Sequence, residues 1–146
     1  MYSPNPYGKD LNRYIPEELE NIRINITPED YIYVDGTNAP AFENSWANVL
    51  SGGDPVNPAR FYLDTFERVH LTGDVDSGSS GTTIFTLPIG YRPTYEERFV
   101  VDATSSVGGH GGHAHLVINT NGTVVATFSG GGTATAFWLS GISFRI

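Results

Sequence analysis

Three histidines have the greatest chemical reach in this sequence: His110, His113 and His115, within the run SSVGGHGGHAH at 105–115. Imidazole nitrogens bind iron, nickel, copper or zinc. In a strand, His113 and His115 point the same way, so one chain offers two ligands together. Three copies around an axis would offer six, a set suited to an octahedral ion. The glycines argue against a site within one chain, because a flexible GGHGG loop does not hold ligands in place. No nearby carboxylate orients a ring. Solvent-facing or interface histidines are the preferred reading, and no metal or other cofactor is assigned.

Carboxylates come next. Glu17/Glu18, Glu96/Glu97 and Asp74/Asp76 are pairs close in sequence. Glycoside hydrolysis needs two carboxyls held at a defined separation across a cleft, and sequence spacing does not supply that. Asp74 and Asp76 read as solvated residues at the edge of a polar loop. There is no GxSxG elbow and no HExxH helix. The glycine-rich runs lead into strands without a following helix or a nearby lysine, so they are not phosphate-binding loops. Cysteine is absent, which excludes disulfides, thiol catalysis and cysteine-ligated metal centres. The expectation is a protein that binds and is not an enzyme.

Aromatic side chains are the best binding candidates. Trp46, Tyr62, Tyr91 and Trp138 accompany polar loop residues, a composition suited to stacking on sugars. For Trp46 the preferred role is a ring buried under a sheet. Lys+Arg 8 against Asp+Glu 16 gives a formal charge of -8. That average field repels polyphosphates and anionic membranes, so nucleic acid is not expected as a partner. Arg60, Arg68, Arg92 and Arg98 are scattered and flanked by acids. No apolar run reaches membrane-spanning length, so no membrane insertion is expected. The first ten residues, MYSPNPYGKD, have neither a basic start nor an apolar segment, so no secretory signal is read there.

The elements that must position these residues are short strands. Gly 17 and Pro 9 favour turns over long helices. Residues 1–10 read as an irregular arm, either a loose tail or a segment that docks on a neighbour. Residues 16–22, PEELENI, give the one helix signal, with proline at a first helical position. Residues 22–26 alternate with period two, and residues 31–34 form a second strand stopped by Asp35-Gly36. Residues 37–58 are mostly loop. A hairpin follows, 61–63 against 69–75, with its turn at 64–68. Val69, Leu71, Gly73 and Val75 share one face, and His70, Thr72 and Asp74 the other. His70 is then an outward or interface residue with no partner visible in sequence.

Residues 84–87 form a strand ended by Pro88, and Gly90, Arg92 and Pro93 make a corner. Residues 99–103 continue the sheet. Asn121-Gly122 signals a hairpin between 116–119 and 123–128. Gly130-Gly131-Gly132 reads as a hinge or tight turn. Residues 136–140 and 142–146 finish the chain, the latter with Ile142, Phe144 and Ile146 on one face. Many short strands with regular turn signals predict an all-β, antiparallel β-sandwich, jelly-roll-like, with at most one short helix. The expected division is 1–35 as an N-terminal arm with lead-in strands and 36–146 as the β-sandwich head.

One set of motifs is shared with a known group. Ala39-Pro40-Ala41-Phe42 is followed by Asn44 and Trp46, then Phe61-Tyr62-Leu63-Asp64 and Val69-His70-Leu71-Thr72-Gly73. Leu87-Pro88-Ile89-Gly90-Tyr91-Arg92-Pro93 comes next, then residues 118–124 with their Asn-Gly turn and residues 138–144, WLSGISF. Their order and spacing resemble the C-terminal head domains of bacteriophage tail-fibre and receptor-binding proteins. The resemblance covers about the last three quarters of the chain. It implies a virion surface β-sandwich, a homotrimer that decorates a particle or touches a host surface, with no catalytic set to carry over. The expected partners are a second and third copy, other virion proteins through the N-terminal arm, and a host cell-surface glycan. No repetitive shaft precedes the head, which also admits a capsid decoration protein. A carbohydrate-binding module is the alternative from a different class.

Overall fold

The computed structural model describes residues 28–105, 109–128 and 134–146. The expected arm at 1–10, helix at 16–22, strand at 22–26 and hinge at 130–132 lie outside the described residues. Among the described residues there are thirteen strands and no helix. Every strand pairing is antiparallel. The all-β sandwich expectation holds.

The hairpin expected at 61–75 forms, although its second arm is shorter than expected. β5 (Arg60–Leu63) pairs with β6 (Arg68–Thr72), with Phe61 opposite Leu71 and Leu63 opposite Val69. Asp64 ties the turn: its Oδ1 accepts the N–H of Phe66 at 2.8 Å and of Arg68 at 3.0 Å. β1 (Ile32–Tyr33) pairs outside β5, and the last strand, β13 (Ile142–Arg145), pairs outside β6. These four make one sheet, in the order β1-β5-β6-β13. Phe61, Val69, Leu71, Ile142 and Phe144 turn to its buried side. Period-two alternation at both 69–71 and 142–144 therefore reads the same core face.

The second arm of the hairpin does not run unbroken to Val75. It divides at Gly73, where φ is +134° and an added Cβ would lie 2.3 Å from the Cα of Ala59. No L side chain fits that backbone or that space. After Gly73 the chain enters the opposite layer as β7 (Asp74–Asp76). There it lies between β2 (Ala47–Asn48) and β12 (Ala134–Trp138). Asp74 is consequently buried, 8% exposed, and accepts a hydrogen bond from Asn57 Nδ2 at 3.2 Å. It is not the solvated loop residue that the sequence suggests.

The opposite layer has seven strands, in the order β2-β7-β12-β9-β10-β11-β8. β8 is Thr83–Thr86, β9 Glu97–Ser105, β10 Gly109–Ile118 and β11 Thr123–Phe128. A two-stranded ribbon, β3 (Leu50–Ser51) with β4 (Asp54–Pro55), lies apart within the expected loop 37–58. The glycine-rich GGHGGHAH is strand from Gly109 onward and not a flexible loop. Its backbone is ladder-bonded to β9 on one side, and from Ala114 onward to β11 on the other. Gly112 is required by packing, since an added Cβ would lie 2.1 Å from the ring of Phe128. The β10–β11 turn also differs in detail from the two-residue Asn-Gly form. Asn119 accepts the N–H of Gly122 at 2.8 Å, and Gly122 alone takes positive φ, +93°. This is the three-residue arrangement of a type I turn followed by a left-handed glycine.

Between the layers, Phe61 of the four-stranded sheet stacks on Phe85 of the other, with centroids 6.4 Å apart and planes 11° apart. Phe137, Leu116, Ile118 and Leu139 are among the other fully buried side chains. Each such side chain contributes about 1.5–3 kcal/mol through burial. The two layers are fixed on each other, and their outward faces are left to present other residues.

Candidate ligand-binding face

On the four-stranded sheet, every second residue points away from the core. Register sets these residues in rows. Arg60 stands opposite Tyr33 on β1 and Thr72 on β6. Tyr62 stands opposite His70, which stands opposite Ser143. Arg68 stands opposite Arg145. Tyr31 precedes β1 and joins the face through its ring, which meets Tyr62 edge-on at 5.0 Å.

The rings and cations on this face are in contact. The Arg60 guanidinium lies 4.8 Å from the Tyr31 ring centre and 5.9 Å from that of Tyr33. These are cation–π distances. Arg60 Nη1 donates to Asn57 Oδ1 and to the Pro58 carbonyl, each at 3.1 Å, while its Nε is buried without a hydrogen-bond partner. Tyr62 stacks flat on His70, with centroids 4.7 Å apart and planes 11° apart. Tyr31 and Tyr33 remain 47% and 48% exposed.

His70 has a partner that the sequence did not reveal. Its Nε2 lies 2.7 Å from Asp64 Oδ2. This hydrogen bond is the main cause holding the Asp64 carboxyl below its ordinary value of 3.8, with the Arg68 and Phe66 N–H groups adding to it against opposing desolvation. Arg68 donates through Nε and Nη2 to Ser143 Oγ, at 3.2 and 2.8 Å. Arg145 is exposed. Among the described residues the ion pairs are His70–Asp64 and Arg98–Glu96, so Arg60, Arg68 and Arg145 all lack a carboxylate.

The other expected site residues are dispersed. Trp46 is 4% exposed and belongs to the core: its ring packs on Phe137 at 5.4 Å and its Nε1–H donates to Thr82 Oγ1 at 3.0 Å. It offers no surface for a sugar. Tyr91 is half-buried. Its ring meets Phe61 edge-on at 5.1 Å and its hydroxyl donates to Glu29 Oε2 at 2.8 Å. Burial, with the bond to Glu29 adding to it, pushes the Tyr91 hydroxyl up to about 12. Glu29 also accepts the Leu63 N–H at 2.7 Å, so this corner is a strut between layers. Trp138 is half-buried on β12, opposite Asp74.

His113 and His115 are exposed and share the outward face of the seven-stranded sheet, as the strand period predicts. His113 stands opposite Asp102 and His115 opposite Val100. The backbone of His110 stands opposite Thr104, beside a register shift that separates it from Gly112. Among the described residues, no group of three or more His, Asp or Glu side chains is placed to hold a metal ion. Of the expected set, only Tyr62 lies on the ring-and-cation face. Its companions Tyr31, Tyr33, Arg60 and Arg145 were missed, although each occupies the outward phase of its own alternating run.

No protein-family model matches the chain, and no curated protein sequence matches it. A solved structure does. The crystal structure of the receptor binding protein (gp15) of Listeria phage PSA superposes with a TM-score of 0.67 at 11% identity. The match covers 99% of this chain and 80% of that chain. The two chains share a fold. At this identity the likeness speaks for architecture, and the chemistry must be argued from the side chains themselves. Those on the four-stranded face can stack on rings, donate several hydrogen bonds and neutralise negative charge.

Proposed function

We propose that this chain is a surface protein of a bacteriophage particle that attaches to a bacterial host by binding a cell-surface glycan. The observation that carries this reading is the fold shared over 99% of the chain with a phage receptor binding protein. The exposed tyrosines beside polar groups support it, because stacked rings and hydroxyl or guanidinium donors are what saccharide recognition uses. The mechanism is binding without turnover. Assembly is as a homotrimer, with residues 36–146 as the head and residues 1–35 as the segment that joins other virion proteins. Ile32–Tyr33 belongs to the head's sheet by pairing, which ties that segment directly to the ligand-binding face.

The test is a cell-binding assay with fluorescently labelled protein on a panel of bacterial strains, combined with light scattering. Saturable binding that mild periodate treatment of the cells abolishes is the expected result, together with a solution mass three times that of the chain. Binding that survives periodate but not protease treatment of the cells would replace the glycan with a protein receptor. No binding to any strain, with the protein found on purified particles, would leave a capsid decoration role.

A further inference from the structure

Resting on the receptor-binding reading, we infer that the outward face of β1-β5-β6-β13 is the glycan site and that its ligand is an acidic saccharide, one bearing carboxylate or phosphate groups. The argument begins with charge. The chain as a whole carries -8, with acids outnumbering Lys and Arg by two to one. On this face the balance inverts. Three arginines, Arg60, Arg68 and Arg145, project from it, and its bonded carboxylate, Asp64, is engaged by His70. Among the described residues none of the three arginines is ion-paired. Among the described residues, the three arginines give this face positive charge that no ion pair offsets.

Placement adds a second argument. Arg68 and Arg145 are direct cross-strand neighbours. Like charges at such positions repel. Arg60 keeps a buried Nε without a partner. Each is a cost to the fold that asks for an explanation, and a ligand on this face supplies one. An anion bridging the arginines would relieve the repulsion, and the guanidinium fork suits both carboxylate and phosphate.

The rings make the ligand a saccharide and not a simple ion. Tyr31 and Tyr33 are half-exposed at the β1 edge, while Arg145 lies on β13 at the opposite edge. Four strands set about 4.8 Å apart span roughly 14 Å. A free phosphate touches one end of such a surface. A short oligosaccharide stacks on the tyrosines and reaches the arginines.

The experiment is a binding panel of acidic saccharides, carboxylated (a short oligogalacturonide among them) and phosphorylated, each beside its esterified or dephosphorylated form. The variants are Tyr33→Ala, Arg145→Thr and the charge-matched Arg98→Ala. The expected result is binding confined to acidic members and weakened by salt. Arg145→Thr and Tyr33→Ala should each reduce it about tenfold, with Arg98→Ala unchanged. Binding of neutral members alone, absence of binding to every acidic member, or equal loss in Arg98→Ala overturns the inference. Thermal unfolding of each variant confirms that it is folded. Periodate-sensitive cell binding retained at full strength by Arg145→Thr and Tyr33→Ala also overturns this site, and leaves the receptor-binding reading standing.

Discussion

Arg68 and Arg145 face each other across β6 and β13 with no carboxylate ion-paired to either among the described residues. Arg68 is steadied by Ser143, and Arg145 extends into solvent. Strand pairing sets the two residues directly opposite each other, and among the described residues no ion pair offsets either charge.

Removing one of these charges should stabilise the unliganded protein. Threonine keeps the β-propensity of the position, so Arg145→Thr is expected to raise unfolding free energy by about 0.5 kcal/mol at low salt. The gain should shrink as salt screens the repulsion. Urea denaturation at two ionic strengths measures both. At the proposed site the same change should weaken ligand binding, so stability and recognition are expected to move in opposite directions at this residue.

Gly73 is where the chain changes layers, and any side chain there meets Ala59. Gly73→Ala should cost about 3 kcal/mol or more, from combined strain and overlap. A lowered urea midpoint is the expected readout. An unchanged midpoint would mean that the crossover is not as described.

The Asp64 carboxyl titrates below 3.8 in the folded protein because His70 and two N–H groups stabilise its charged form. A depressed folded value adds stability above the unfolded one, and that stability is lost as pH falls through the folded value. Asp64→Asn should therefore be less stable than the parent at neutral pH, with the difference closing in acid below 3.8. Denaturation midpoints across that range test the sign.

Tyr91 should ionise near pH 12, above the ordinary phenol value of 10.0. The neutral hydroxyl is favoured by the fold, so its contribution is present below 10.0 and is lost as pH rises through about 12. Absorbance titration of the phenolate should show a component near pH 12 that Tyr91→Phe removes. The substitution also deletes the Glu29 bond and should cost about 1 kcal/mol.

Much of the fold was legible because alternation is a local signal. Val69 with Leu71, and Ile142 with Phe144, each declare a buried face within a few residues. The break at Gly73 was not legible, because the atom that forbids a side chain belongs to Ala59 in another segment. The 109–115 run misled for a related reason. Glycine weakens a strand intrinsically, and here a ladder on β9 and the Phe128 ring over Gly112 decide the conformation. The candidate face was the least legible part. Tyr33, Arg60, Arg68 and Arg145 share a surface only because β13 returns to pair with β6, which joins positions far apart in the chain.

Alternation along β5, β6 and β13 also separates two kinds of inheritance. Phe61, Val69, Leu71, Ile142 and Phe144 fill the core, and their immediate neighbours Arg60, Tyr62, His70, Ser143 and Arg145 face away from it. Outward positions can therefore be varied in a library at less cost to the core than the inward ones. A sheet of this kind can change what it displays by rewriting every second residue, without rebuilding the scaffold beneath.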